Sequence, residues 1–278
     1  MNKLSRENQT QIITALVEGN SIRATCRMTD IAKGTVTRLL ASVGKACADY
    51  QDERLKNLTS QRIQCDEIWS FCYAKQKNVP EDKQGKFGYG DVWTWVAIDA
   101  DTKLIASWLV GLRTVECATH FINDLKDRLA NRIQLTTDGH KVYINAVENA
   151  FGADIDYGML NKLYGQDPEP ERRYSPAKCL GAEKQVIQGK PNEKDISTSF
   201  VERQNLTMRM SMRRFTRLTN GFSKKVENLE YAVALHYMHY NFARPHKTLA
   251  NPYPRTPAMA AGIEKHIWTV DEIVQLVN

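Results

Sequence analysis

The sequence predicts an α/β chain in which a mixed sheet flanked by helices is preceded by a small all-α module. Three observations predict it. From residue 61 onward apolar, β-prone runs alternate with stretches of helical periodicity; the first 48 residues carry helical periodicity alone; and 278 residues are enough for one ample core plus a small module.

The N-terminal module reads as three helices. Leu4 to Glu18 places Ile12, Ile13, Leu16 and Val17 on one face, a second helix starts at Ser21 after Gly19-Asn20, and Lys33 to Ala46 supplies the third. A tight turn around Met28 to Ala32 predicts a helix-turn-helix, whose last helix enters a DNA major groove. If Val36, Leu39, Leu40 and Val43 pack inward, then Lys33, Thr35, Thr37 and Arg38 face the DNA. A three-helix packing or dimerisation module is the alternative. Residues 49–60 are charged and predict a helical linker.

Residues 61–262 carry the sheet. Strands are expected at Ile63 to Phe71, Val92 to Ile98 and Lys103 to Val110, the last two joined by the turn Asp99-Ala100-Asp101-Thr102. Glu116 to Ala130 has the apolar stripe of an amphipathic helix, followed by a strand at Ile133 to Thr137, a helix from about Lys141 to Ala150 and a short strand near Asp154 to Leu160. Residues 165–198 are polar and interrupted by Pro168, Pro170, Pro176 and Pro191, the signature of an irregular insertion. A helix from Glu202 to about Phe215 and a helical tail over 263–278 complete the chain.

Three carboxylates stand out on these elements. Asp66 and Asp138 each lie in or at the end of a β-prone run, and Glu202 opens a basic helix. Aspartate is depleted in strands and costly to bury alone, so Asp66 calls for a partner. Strand alternation puts Asp66 and Glu67 on opposite faces, which leaves room for only one of them in a shared site. Carboxylates converging from separate elements suit a pair of Mg²⁺ ions, which prefer hard oxygen ligands and serve phosphodiester chemistry. Glu193 and Asp195 compete for the third position but lack a helix to place them. Asp99 and Asp101 read as turn formers, His140 as a surface or capping residue, and His246 as structural.

Charge supports a polyanionic partner. Arg203 to Lys225 holds seven basic residues and no acidic one, whereas Ile63 to Asp138 holds nine basic against eleven acidic, so the net charge of +6 is concentrated. At 100° per residue Arg209 lies within about 20° of Glu202 and Arg213 within about 20° on the other side. Asn205 is one turn along, and Arg203, Asn205, Arg209 and Arg213 are the candidate DNA contacts of this helix. The six cysteines form no Cys-x-x-Cys and no zinc-like cluster with histidine, which fits a reducing compartment. No leader-like start and no apolar run near 18 residues is present, so a cytoplasmic, nucleoid-associated protein with no membrane partner is expected.

Five ordered blocks carry a family resemblance: Asp66-Glu67-Ile68-Trp69-Ser70-Phe71; Thr137-Asp138-Gly139; Val201-Glu202-Arg203-Gln204-Asn205-Leu206 with Arg209; Arg214-Phe215-Thr216-Arg217-Leu218-Thr219 with Phe222-Ser223-Lys224-Lys225; and Tyr240-Asn241-Phe242-Ala243-Arg244-Pro245-His246-Lys247-Thr248-Leu249. Together they resemble the DDE transposases of bacterial insertion sequences, most of all the founding insertion-sequence family and its relatives. The resemblance spans roughly Gln61 to Gly262 and implies a ribonuclease-H-like catalytic domain. It implies that Asp66, Asp138 and Glu202 are catalytic and hold two Mg²⁺ ions, with Mn²⁺ as a substitute. It also implies that the chain binds the element's terminal repeats and target DNA as a homodimer or higher assembly, cleaving a strand and then joining the freed 3′-hydroxyl to the target. Members with an N-terminal zinc finger differ from this chain, which lacks the cysteines for one. A Mg²⁺-dependent nuclease of the same fold and a silent DNA-binding repressor are the alternatives.

Overall fold

The computed structural model describes residues 4–165, 179–216 and 219–277. The chain is mixed α/β, with one six-stranded mixed sheet flanked by helices. Three helices come first: α1 (Arg6–Val17), α2 (Ile22–Thr29) and α3 (Lys33–Arg54). Ser5 and Ser21 accept hydrogen bonds from the amides of Asn8 and Ala24 and so start α1 and α2. Val36, Leu40 and Val43 are buried as the periodicity requires, with Leu39 partly so. The third helix does not stop near residue 46 but continues through residues expected to form a linker, because its inner face packs on α7 (Val226–Met238). Gly44 permits that approach: a Cβ there would lie 2.4 Å from the Tyr231 carbonyl oxygen. Gln51 adds a buried hydrogen bond, its Nε2 donating to the Ala234 carbonyl at 3.0 Å.

The strands are β1 (Arg62–Cys72), β2 (Gly90–Asp99), β3 (Ile105–Gly111), β4 (Gln134–Asp138), β5 (Asp156–Tyr164) and β6 (Cys179–Gln188), in spatial order β3-β2-β1-β4-β5-β6. The first three form an antiparallel meander, β4 and β5 run parallel to β1, and β6 returns antiparallel to β5. First and fourth strands are neighbours, in register from Arg62 opposite Gln134 to Cys65 opposite Thr137. The arrangement is compatible with a ribonuclease-H-like fold. At the β2–β3 turn, Asp99 Oδ1 accepts from the amides of Asp101 and Thr102, the turn-forming role its spacing predicted.

Helices cover both faces. Trp95 points to one of them, against Phe121 of α4 (Val115–Arg128) and Tyr143 of α5 (Val142–Phe151). On the other face Trp108 meets Tyr237 of α7, and α6 (Ser199–Ser211) lies across β1. The C-terminal region adds α8 (Pro257–Ala260) and α9 (Val270–Gln275), the latter docked on α1 through the Arg6–Asp271 ion pair.

Two expectations are corrected here. The insertion over 165–198 is not irregular throughout: residues 179–188 form the edge strand β6, and only 166–178 of it, with Pro168, Pro170 and Pro176, lie outside the described residues. Solvent exposure explains why no alternation marked β6, since an edge strand open on both faces has no buried side to signal. The helix opened by the Glu202 block starts at Ser199 and ends at Ser211, so Arg213 belongs to the short 3₁₀ turn Arg213–Phe215 and not to the helix. Arg217 and Leu218 of the basic block lie outside the described residues.

Candidate active site

The site forms where β4 ends. Its last rung with β1 pairs Cys65 with Thr137, after which β1 runs on to Cys72 while β4 stops at Asp138. Asp66 and Asp138 therefore follow the final rung side by side. Asp66 pairs in register with Val96 and Glu67 with Trp95, so the two acids do face opposite sides of the sheet. Yet one oxygen each of Asp66, Glu67 and Asp138 lies within 4.8 Å of the others. This overturns the expectation that only one of the adjacent acids can join the site. Asp138 stands at the strand edge that β4 leaves uncovered, where carboxylates from both faces reach it.

Each acid has its own support. Asp66 Oδ2 accepts from Asn205 Nδ2 at 2.8 Å, and its Oδ1 accepts from the Glu67 amide at 2.8 Å. Asp138 Oδ1 accepts from the His140 amide at 3.0 Å, which gives His140 its place in the turn while its ring stacks on Trp95. Arg113, stacked over Trp93, lies 3.1 Å from the buried Glu67 carboxylate and 3.7 Å from that of Asp138. Burial first, and the Asp138 charge second, push both Asp66 and Glu67 up to about 7. Buried, crowded carboxylates whose protons are shifted in this way mark a candidate functional site.

Glu202 is brought to the same neighbourhood by β1 itself. Gln64, on the Asp66 face of the strand, accepts from the amides of Phe200 and Val201 at 2.9 and 3.2 Å and so anchors the first turn of α6. One turn further in, Asn205 reaches Asp66. The Glu202 carboxylate raises the Asp66 pKa, though less than Asp138 does. It does not enter the tight cluster of three: its oxygens are held by Lys162 of β5 and by the Thr198 hydroxyl. The competing acids are elsewhere, Asp195 paired with Arg62 at 2.5 Å and Glu193 in the short turn Glu193–Asp195.

The candidate DNA contacts divide. Lys33 and Arg38 are exposed at the start of α3, with Thr35 and Thr37 half-buried beside them, and Thr35 accepts from Arg38 at 3.2 Å. Arg203 and Arg213 are exposed and Arg209 is half-buried. Asn205 is buried and turned inward, so it supports a carboxylate instead of facing a ligand. His246 bonds Thr248 through Nδ1 at 2.9 Å, a local structural role.

Sequence reasoning missed Gln64, Arg113 and Lys162. Gln64 carried a signal, since it shares a strand face with Asp66. Arg113 and Lys162 carried none, because their partners are set by three-dimensional packing.

The donor set fits a hard divalent cation. All candidate ligands are carboxylate oxygens, four acids face two cations, and the buried Asn205 Oδ1 accepts no hydrogen bond from a described group. Neither a family model nor a curated protein matches the sequence. Among solved structures the chain is similar to a Mos1 transposase paired-end complex with left transposon end, at 11% identity and a TM-score of 0.26, covering 56% of this chain and 60% of that one. It is also similar to the Mos1 Strand Transfer Complex, at 10% identity and a TM-score of 0.26, covering 86% of this chain and 76% of that one. Likeness of that degree carries no argument about function.

Proposed function

We propose that the chain is a DDE transposase of an insertion sequence, which binds the element's ends and catalyses Mg²⁺-dependent strand cleavage and transfer. One observation carries the reading: Asp66 and Asp138 leave adjacent parallel strands at the same end of the sheet, with their oxygens within 4.8 Å, beside a helix that brings Glu202. Asp66, Asp138 and Glu202 would hold two Mg²⁺ ions. Ions held there would supply the activation of a water for attack on a phosphodiester and charge stabilisation at the leaving 3′ oxygen. Asn205 and the Glu67 amide fix the Asp66 carboxylate, and Arg113 ties Glu67 to Asp138, so these two aspartates are oriented before substrate arrives. Glu202, now paired with Lys162, would complete the set.

The first 48 residues serve as a helix-turn-helix, with Lys33, Thr35, Thr37 and Arg38 toward DNA, and residues 61–262 are the catalytic domain. Arg203, Arg209 and Arg213 steady the flanking phosphates. Joining two ends requires two chains, so a homodimer or larger assembly forms on DNA.

A second ligand set is favoured by one specific observation, the closer approach of Glu67 than of Glu202 to the two aspartates. Incision of a labelled duplex carrying the element's end separates the two. Glu202→Gln abolishes incision and leaves duplex binding intact or tighter, because a negative charge is lost, while Glu67→Gln retains measurable incision. The reverse pattern would move the third-ligand role to Glu67.

A further inference from the structure

A cleft of about 830 Å³ lies between the N-terminal helices and the segment that follows α6. Arg23 and Lys33 line it from α2 and α3, and Arg213, Arg214, Lys224 and Lys225 from the opposite wall. Its lining includes no aspartate or glutamate among the described residues, and none of the six cations forms an ion pair with a described carboxylate. Six cations lining one cleft that has no acid in its described lining suit an anionic ligand.

Arg214 is the most demanding of them. Burial depresses its guanidinium to about 10, the opposite of what a carboxylate partner would do. Its Nε donates to Ser223 Oγ at 2.8 Å, which fixes the plane of the group, while its two Nη nitrogens have no described acceptor. A guanidinium held this way presents the two-pronged edge that matches a phosphate. Lys224 lies over the Phe222 ring at 4.3 Å from its centroid, so a second cation on this wall is also held in place.

We propose that this cleft is a seat for the phosphodiester backbone of duplex DNA, with Arg214 as its anchor, separate from the acidic site. The inference rests on the proposed function for the identity of the polyanion. Helix α6 sets the spacing of the two sites. Glu202 stands in its first turn, and its last residue, Ser211, lines the cleft about 14 Å further along the axis. That distance corresponds to about four base pairs of a duplex.

The test is the salt dependence of binding, read by anisotropy of a labelled 30-base-pair duplex with the full chain. Each phosphate contact contributes about 0.9 to the slope of log K against log salt. Lys224→Gln/Lys225→Gln, both on the cleft wall, lowers the slope by about 1.8, so the variant's affinity falls about tenfold less than the wild type's between 50 and 200 mM salt. Arg214→Gln lowers it by about 0.9, and Arg214→Lys restores part of the loss if the fold, checked by thermal melting, is intact. An unchanged slope in the double variant overturns the cleft and leaves the function standing. A lowered slope in a chain that never cuts DNA supports the cleft and overturns the function. Absence of duplex binding by the wild type overturns both.

Discussion

The two ends of α6 are opposites. At its N-terminal turn, carboxylates crowd together with Arg113 and Lys162 as the nearby cations; past its C-terminal end, six cations line a cleft with no carboxylate among its described lining residues. A net charge of +6 therefore hides two regions of opposite sign, one a cluster of carboxylates and one a cleft lined by cations. One helix, anchored at its start by Gln64, holds the two in a fixed relation.

Breaking the acidic end has the largest expected effect. Asp138→Asn removes one carboxylate of the Asp66, Glu67 and Asp138 cluster, and incision of element-end DNA falls by at least about 1,000-fold, equivalent to about 4 kcal/mol of barrier. Duplex binding at the cationic end persists. Equal loss of binding would show that the two ends do not act separately.

The junction beneath the cleft comes next. At Gly44 a Cβ would meet Tyr231 backbone atoms at 2.4 and 2.7 Å, so Gly44→Ala forces α3 from α7 and destabilises the fold by about 2–3 kcal/mol, read by denaturant unfolding. Leu40 of α3 and Leu235 of α7 line the cleft, so duplex binding weakens while metal binding at the carboxylates does not.

A smaller effect of opposite sign is expected at Asp66. Burial raises its carboxyl to about 7, so the folded chain binds that proton more tightly than the unfolded chain does. Stability from this group is therefore lost as pH rises from about 4 toward 7. Asp66→Asn, which cannot ionise, melts higher than the wild type above pH 7, and the gain closes below about pH 4. A gain independent of pH would contradict the assignment of the shifted proton.

Gln64→Ala gives the smallest effect. It removes one acceptor from two α6 amides and costs about 1 kcal/mol by thermal melting. Divalent-ion affinity falls with it because Glu202 loses its anchor, while the cleft's salt slope stays unchanged.

Much of this was legible in the sequence. Alternation and helical periodicity placed β1 to β5 and α1 to α5, and the β-prone runs that carry Asp66 and Asp138 were readable as strands from pattern alone. What failed has physical causes. Edge strand β6 is exposed on both sides and had no pattern to read. Alternation correctly assigned Glu67 to the far face but could not tell that β4 stops early enough for Asp138 to meet both acids. Asn205 looked like a surface amide because it sits among arginines; its burial depends on where α6 crosses β1. The cleft joins residues about 200 positions apart and has no local signature at all.

The most direct measurement incubates the full chain with labelled duplexes bearing the host element's own ends, in Mg²⁺ or in Ca²⁺, and scores nicked and joined strands. Nicked and joined product is expected in Mg²⁺, and bound, uncut DNA in Ca²⁺. Nicking without joining would reduce the chain to a nuclease, and DNA bound but never cut in either metal would contradict the carboxylate site as a catalytic centre.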